Sequence, residues 1–283
     1  MRPIVAIVAP GSMGAAVGAR LASRGVEVLT CLEGRSAASE QRARAAGLTA
    51  VGRPDLVRAD FLLSIVPPGA ALGFAQGLVP WLRDAPRKPV FVDCNAVSPA
   101  TMQCIAETVT AASTPCVDAG IVGMPPRAGA SGPHVYASGP HAERFAALAD
   151  YGLEIRVLGG PIGVASALKM SYAGITKGIT AVATAMLLAA TRADVDRALR
   201  AELAQSQPAL LASLERTVPG MFPKAYRWVA EMREIAGFAA EDGAASEIFR
   251  GAAALYERIA GDVAGERRET EALERFLGRP TER

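Results

Sequence analysis

Histidine is nearly missing from this 283-residue chain, with two in all, and aromatic residues make up only 5%. So few imidazoles argue against a histidine-based zinc centre and against a Ser-His-Asp triad. Cysteine is sparse as well. Cys31, Cys94, Cys104 and Cys116 are scattered with no CxxC pair, and three of them sit in strand-like runs. Buried thiols in a reducing compartment are expected, with no disulfide framework and no metal. Surplus charge is absent: 30 Lys and Arg stand against 28 Asp and Glu, a formal net charge of +2. That excludes a dedicated nucleic-acid surface, which needs clustered basic residues. No charged leader with an apolar core and cleavage site opens the chain, so no signal peptide is expected. The longest apolar stretch, Ile179 to Ala190, is interrupted by threonine and reads as too short to cross a bilayer. A cytoplasmic protein without a membrane partner is the expectation. There is no internal repeat and no low-complexity linker.

What is present is the composition of a globular chain, 51% hydrophobic and 20% charged, long enough for two domains with real cores. Up to about Leu158, β-rich runs alternate with Ala-rich amphipathic segments. The runs are IVAIVA, VEVLTC, FLLSIVP, PVFVDC, PCVDAGIVG, HVYASG and EIRVLG. Strands alternating with helix-length segments predict a parallel, doubly wound α/β sheet. After Gly160 the strand signal stops. From Ile162 to about Leu277 the pattern is helical, broken at TVPGMFP and AEDGAAS. The predicted architecture is a sheet domain over residues 1–160 and an all-α domain over 161–283, with LGGPIG at the boundary. The last segment, AGERRETEALERFLGRPTER, reads as a solvated helix and tail.

The first strand leads into APGSMG and then an apolar helix. Strand, glycine turn and helix form the context of a Rossmann-type dinucleotide fingerprint. Gly11 lets the backbone approach a pyrophosphate, and the helix N-terminus offers N–H groups and a positive dipole end. Gly14 lets the helix lie close to the strand. Ala9 replaces the first glycine of the pattern, at the least demanding position. Gly11, Ser12, Met13 and Gly14 are therefore the expected pyrophosphate residues. The second strand ends in LEGRSAAS, beside the expected adenosine ribose. Glu33 there suits NAD. Arg35, Ser36 and Ser39, at the start of a helix, suit the 2′-phosphate of NADP, since arginine pairs with phosphate and the serine hydroxyls complete the site. The reading favours NADP, with NAD the alternative.

Lysine is scarce, confined to Lys88, Lys169, Lys177 and Lys224. In so arginine-rich a chain, a buried lysine marks a role that arginine cannot fill, because arginine gives up no proton at useful pH. Lys169 and Lys177 lie in ASALKMSYAGITKGITAV, the first long helix after the sheet. Lys169, Tyr172, Ala173 and Thr176 share one stripe of that helix, while Lys177 is turned away from it. The stripe is small and polar, as in a helix that lines a cleft. The bland alternative is a pair of lysines snorkelling at the helix surface.

These segments together resemble the β-hydroxyacid dehydrogenases, the group that includes 3-hydroxyisobutyrate dehydrogenase and the cofactor domain of 6-phosphogluconate dehydrogenase. APGSMG resembles the opening motif of that family, Met13 included. IVPP, ending in Val66, Pro67 and Pro68, resembles the loop that borders the nicotinamide. VDCNAVSP resembles the family's VDxSTxSP, which implies a place near the ring for Asn95. DAGIVGM, Asp118 to Met124, resembles the substrate loop DAPVSGG. GVASALKMSYAG resembles the catalytic-lysine helix, and Lys169 matches its lysine. RWVAEMREIAGFAAEDG and GAAALYERIA resemble the C-terminal domain of uncharacterised 6-phosphogluconate dehydrogenase-like oxidoreductases. The resemblance implies a nicotinamide cofactor, hydride transfer and a homodimer.

The departures concern substrate. Val122 and Met124 stand where the family has a hydroxyl and a glycine that help to hold a carboxylate. Tyr172 and Ala173 replace amide-bearing positions, and Ala230 and Glu231 replace a Lys-Asp pair. The expected reaction is NADPH-dependent hydride transfer between the nicotinamide and a small carbonyl/alcohol pair, with Lys169 as general acid/base and Tyr172 orienting the substrate. Val122, Gly123, Ala173, Thr176, Trp228, Glu231 and Met232 are the expected substrate contacts, with Trp228 and Met232 equally readable as packing. The alternatives are an imine reductase acting on C=N bonds and a non-catalytic NADP-binding module.

Overall fold

The computed structural model describes residues 2–126 and 132–278. It divides into two compact units, Met1–Met170 and Ser171–Arg283. In the first unit the elements run β1 (Ile4–Val8), α1 (Ser12–Ala22), β2 (Glu27–Thr30), α2 (Ala37–Ala45), β3 (Thr49–Ala50) and β4 (Phe61–Ser64). They continue with α3 (Ala71–Asp84), β5 (Val90–Asp93), α4 (Pro99–Thr110), β6 (Cys116–Val122), β7 (His134–Ser138), α5 (Ala142–Ala146) and β8 (Glu154–Val157). The strands form one sheet in the order β3-β2-β1-β4-β5-β6-β7-β8. The order reverses between β1 and β4, which makes the switch point where doubly wound sheets bind ligands, at the carboxyl ends of their strands.

Both faces of the sheet are apolar because each strand alternates between two cores. Val5, Ile7, Val90 and Val92 point to one; Ala6, Val8, Leu62 and Phe91 point to the other. That two-sided burial is why the strands read as continuous apolar runs. Two details differ from the sequence expectation. β3 is only two residues long, too short to leave a hydrophobic pattern. β7 pairs antiparallel with β6, Val122 opposite His134 and Asp118 opposite Ser138. A parallel return needs a crossover of a dozen or more residues, usually helical, and the link from β6 to β7 carries no helix among its described residues.

Helix α6 (Val164–Arg192) follows, then α7 (Asp196–Ser206), α8 (Pro208–Met221), α9 (Ala225–Phe238), α10 (Gly243–Ala264) and α11 (Arg268–Phe276). The division between units falls inside α6, about ten residues after the boundary expected from LGGPIG. The cause is a polar cap that belongs to the sheet unit. Buried Asp118 accepts hydrogen bonds from the Gly163 N–H (2.8 Å), the Ser166 N–H (3.0 Å), the Ser166 hydroxyl (2.7 Å) and the Ser138 hydroxyl (3.0 Å). A carboxylate at a helix N-terminus satisfies orphan N–H groups and meets the positive dipole end. The first turns of α6 are thus fastened to β6.

In the helical unit, Tyr256 is fully buried on α10, with its hydroxyl on the Lys177 carbonyl at 2.5 Å. α11 is more than a solvated face, since Thr270, Leu273 and Phe276 are buried. The run Ile179–Ala190 is part of the 29-residue α6, which has the length and hydropathy (1.5 over its most apolar window) to cross a membrane. This corrects the reading of that run as too short. Of the window, 44% is buried within the protein, and a single helix of this kind is weak evidence for a span.

Candidate active site at the carboxyl edge of the sheet

The glycine-rich turn joins β1 to α1. Gly11 is the N-cap of α1 and no side chain caps the helix, so its first N–H groups remain for a ligand. A Cβ on Gly11 would meet nothing within 4 Å, whereas one on Gly14 would overlap the Ala9 carbonyl oxygen. The two glycines therefore do different work. Gly14 permits the close approach of helix and strand; Gly11 leaves bare backbone at the helix end. Ala9 is buried and its N–H donates to the Ile65 carbonyl at 3.0 Å. The turn with alanine in first place is thereby tied to the β4 loop.

Ser36 caps α2, accepting the Ser39 N–H at 3.4 Å, and its hydroxyl lies 3.3 Å from that of Ser39. Arg42, which the sequence reading overlooked, donates to the Ser39 hydroxyl at 2.9 Å and to the Pro10 carbonyl at 3.3 Å. Its position one turn after Ser39 on a helix was the available signal. Glu33 accepts the Arg53 N–H at 3.4 Å and lies 3.9 Å from the Arg53 guanidinium. An uncapped helix end, bare Gly11 backbone and an arginine-serine cluster after β2 fit the pyrophosphate and ribose of a dinucleotide. Gly11, Ser12, Met13 and Gly14 would hold the first, and Arg35, Ser36, Ser39 and Arg42 the second.

At the ends of β4 and β5, Asn95 is buried and its side chain is fully used. Its Oδ1 accepts the Val66 N–H at 2.6 Å, and its Nδ2 donates to the Ser64 hydroxyl and to Asp93, both at 2.8 Å. Asn95 fixes the Val66–Pro67–Pro68 loop through its amide rather than presenting that amide outward. Pro67 is exposed and Val66 half-buried, so this loop offers a ligand its apolar surface.

Lys169 comes to the same edge from α6. A Cβ on Gly120 would lie 3.1 Å from the Ala165 carbonyl oxygen and 3.1 Å from the Lys169 Cβ. Glycine there lets α6 lie this close over β6 without either neighbour giving way. The Lys169 Nζ donates to the Ile121 carbonyl at 2.6 Å, one residue before β6 ends. No carboxylate pairs with it among the described residues, and burial lowers its pKa from the ordinary 10.5 to about 8. An amine with that pKa exchanges a proton near neutral pH, which suits general acid/base work.

Val122 and Gly123 lie at the end of β6, half-buried and exposed respectively. The remaining expected residues belong to the helical unit. Tyr172 is half exposed, Ala173 is buried, and the exposed Thr176 bonds back to the Tyr172 carbonyl at 2.9 Å. Lys177 forms an ion pair with Glu231 and lies 4.9 Å from the Trp228 ring centroid, and Trp228 meets Tyr256 edge to face at 5.2 Å. Met232 is fully buried. The structure thus puts Trp228, Glu231 and Met232 in packing and pairing roles within the helical unit. They fall at i, i+3 and i+4 on α9, where apolar periodicity and a ligand-facing stripe look alike in sequence.

Residues 4–151 match the family model described as the NAD binding domain of 6-phosphogluconate dehydrogenase, and residues 190–259 match a domain of unknown function, DUF1932. An uncharacterised 28.5 kDa protein of Methanothermus fervidus is 32% identical over 159 residues, 56% of this chain. That match spans 59% of the length of the relative. Among solved structures, a conserved protein of unknown function, reported to be structurally similar to 3-hydroxyacid dehydrogenases, is 31% identical at a TM-score of 0.64. The alignment covers 90% of this chain and 98% of that one. The 3-hydroxyisobutyrate dehydrogenase of Mycobacterium tuberculosis shares the fold at 19% identity and TM-score 0.68, covering 93% and 96%. An imine reductase of Myxococcus stipitatus in complex with NADP+ shares it at 19% identity and TM-score 0.54, covering 97% and 100%. With residues 4–151, just over half of the chain, matching that family model, the chain belongs to the β-hydroxyacid dehydrogenase and 6-phosphogluconate dehydrogenase-like family of NAD(P)-dependent oxidoreductases.

Proposed function

We propose that this protein is an NADPH-dependent oxidoreductase that interconverts a small carbonyl and its alcohol, with Lys169 as the general acid/base. The observation that carries the proposal is the Lys169 ammonium at the carboxyl edge of the sheet, its pKa brought to about 8 by burial. The bound nicotinamide supplies or accepts the hydride. In reduction Lys169 gives its proton to the carbonyl oxygen as the carbon gains the hydride; in oxidation the neutral amine takes the alcohol proton. Pro67 and Val66 would offer the ring an apolar wall, and Val122 and Gly123 would border the reacting group. The family resemblance assigns carboxylate binding to positions held here by Val122 and Met124, so a substrate less acidic than a hydroxyacid fits this chain better. Tyr172 is assigned to substrate orientation. Apolar residues at the family's carboxylate-binding positions also suit C=N substrates, and the fold of the imine reductase favours keeping that second reading. NADPH oxidation with a panel of 2-ketoacids, aldehydes and cyclic imines tests the proposal. Turnover confined to imines transfers the assignment to the second reading. Tight NADPH binding without any turnover leaves a binding module.

The preference for NADP over NAD is part of the proposal. It is supported by Arg42 converging with Ser36 and Ser39, and by Glu33 being engaged with Arg53. Replacing Arg35 and Arg42 together by alanine is expected to weaken NADPH binding about 10- to 100-fold, about 1.4–2.8 kcal/mol. NADH binding should change less than about threefold. Equal losses for both cofactors would reject the assignment.

We further propose that the cytoplasmic protein is a homodimer whose copies pack along α6. Tyr172, Ile175, Ile179, Val182 and Met186 recur at alternating three- and four-residue spacing, each 49–65% exposed. The single charged residue within that span, Lys177, is paired with Glu231. An apolar seam of this period fits the same seam on a second copy about a twofold axis. Light scattering is expected to give twice the chain mass, falling to the monomer in Ile179→Glu. A monomeric wild type would remove the proposal.

A further inference from the structure

Asp93 has no part in the proton transfer assigned to Lys169. This residue ends β5, in register with Ser64 at the end of β4 and with Asp118 on β6. It is buried, and its two oxygens face donors: the Asn95 N–H at 3.0 Å and the Asn95 amide group at 2.8 Å. The amide it orients is the one that holds the Val66 N–H at 2.6 Å. Ile65, the residue before Val66, accepts the Ala9 N–H from the glycine-rich turn at 3.0 Å. One carboxylate therefore sits at the root of a bonded chain through the β5, β4 and β1 loops, the three that meet a dinucleotide in this fold.

We propose that Asp93 is the positioning residue of the nicotinamide loop: its carboxylate orients Asn95, Asn95 holds Val66, and protonating the carboxylate releases that hold and weakens dinucleotide binding. The reason is donor arithmetic. An ionised carboxylate accepts from every neighbour, whereas a protonated one must aim an O–H somewhere, and both oxygens already face N–H donors. Whichever oxygen takes the proton becomes a poorer acceptor for its Asn95 donor, even where its O–H turns to the Ser64 hydroxyl, the other group hydrogen-bonded to this carboxylate. The surroundings supply no countercharge. Asp118 is of like sign, Cys94 and Cys116 are thiols whose pKa values burial raises, and the side chains from α3 and α4 on this face, such as Ala71 and Met102, are apolar. Burial accordingly raises the Asp93 pKa from 3.8 to about 7.

Two consequences have opposite signs. Dinucleotide affinity needs the ionised form, so it falls as pH drops through about 7. Stability goes the other way. A carboxyl whose pKa is raised on folding contributes fully below its unfolded value and loses that contribution as pH rises through the folded one. Above about pH 7 the ionised Asp93 is a stability cost retained for positioning. Asp93→Asn mimics the protonated state at every pH.

The test is NADPH binding by fluorescence titration between about pH 5.5 and about pH 8.5, with melting temperatures alongside. The wild-type protein should bind about tenfold more tightly than Asp93→Asn at high pH, the ratio approaching one at low pH. The ratio cancels titration of the cofactor's 2′-phosphate, at about 6, which the two proteins share. Asp93→Asn should melt at the same or a higher temperature at high pH. Asn95→Ala, which removes the Val66 acceptor and keeps Asp93, should give the same weak binding with the same reduced slope, and decides the matter if Asp93→Asn does not fold. A ratio of one at all pH values, or a lowered melting temperature with wild-type pH dependence, would overturn the proposal.

Discussion

Lys169→Ala is expected to lower turnover by about 10²- to 10⁴-fold, the usual range for losing a general acid/base, while the Kd for NADPH stays within about twofold. The separation follows from geometry. Lys169 bonds to the Ile121 carbonyl and to none of the phosphate-turn residues, so its loss removes a proton donor and no cofactor contact. Lys169→Arg should be nearly as inactive, because the guanidinium keeps its proton and donates hydrogen bonds only. In the wild type, carbonyl reduction needs the ammonium and should fall as pH rises through about 8; alcohol oxidation needs the free amine and should rise through the same value. The checks are initial rates in both directions against pH and a fluorescence titration of each variant with NADPH. Parallel pH limbs in the two directions, or a Lys169→Ala protein with most of its activity, would reject the role.

The second large effect separates the two glycines of the phosphate turn. Gly14→Ala puts a methyl group onto the Ala9 carbonyl oxygen, which is backbone and has little room to yield. Overpacking of this severity costs about 3 kcal/mol or more, roughly a 6–12 °C fall in melting temperature for a domain of this size. Gly11→Ala meets open space on the protein side, so its melting temperature should move by less than about 2 °C. Its NADPH affinity should nevertheless fall about tenfold, because the methyl stands where the pyrophosphate must approach bare backbone. Scanning calorimetry with and without NADPH checks both. A Gly11→Ala protein that loses stability, beside a Gly14→Ala protein that loses only affinity, would reverse the roles of the two glycines.

Much of the fold was legible because it rests on local patterns. The strands of a two-sided sheet appear as apolar runs, and α1 and α4 appear as amphipathic segments after a glycine turn and a Ser-Pro cap. The rest depends on contacts that leave no local trace. Asp118 fastens α6 from 45 and 48 residues away, which ties the first turns of that helix to the sheet unit. Asn95 reaches Val66 from 29 residues away, so its residue type was visible and its use was not. β7 runs antiparallel to β6 because the link between them is shorter than a parallel crossover needs, a matter of chain length and not of strand propensity.

The site followed the same rule. Lys169 stood out because lysine is rare in this chain and the helix around it is apolar. The partner that makes the position possible, Gly120, looks like any glycine in a strand until α6 is seen lying over it. Arg42 was hidden beside Arg44 on α2, and its distinction is a bond to Pro10 across 32 residues. Met232 fits a ligand-facing stripe and a core stripe equally well in sequence, and only burial separates the two.

The most direct test of the central claim is a crystal structure of the protein with NADP+ bound. The expected result is the pyrophosphate over Gly11 to Gly14, the 2′-phosphate among Arg35, Ser36, Ser39 and Arg42, and the nicotinamide against Val66 and Pro67. Lys169 Nζ should face the ring across a gap the width of a carbonyl group. A nicotinamide turned away from Lys169, or a ring bound at another edge of the sheet, would contradict it.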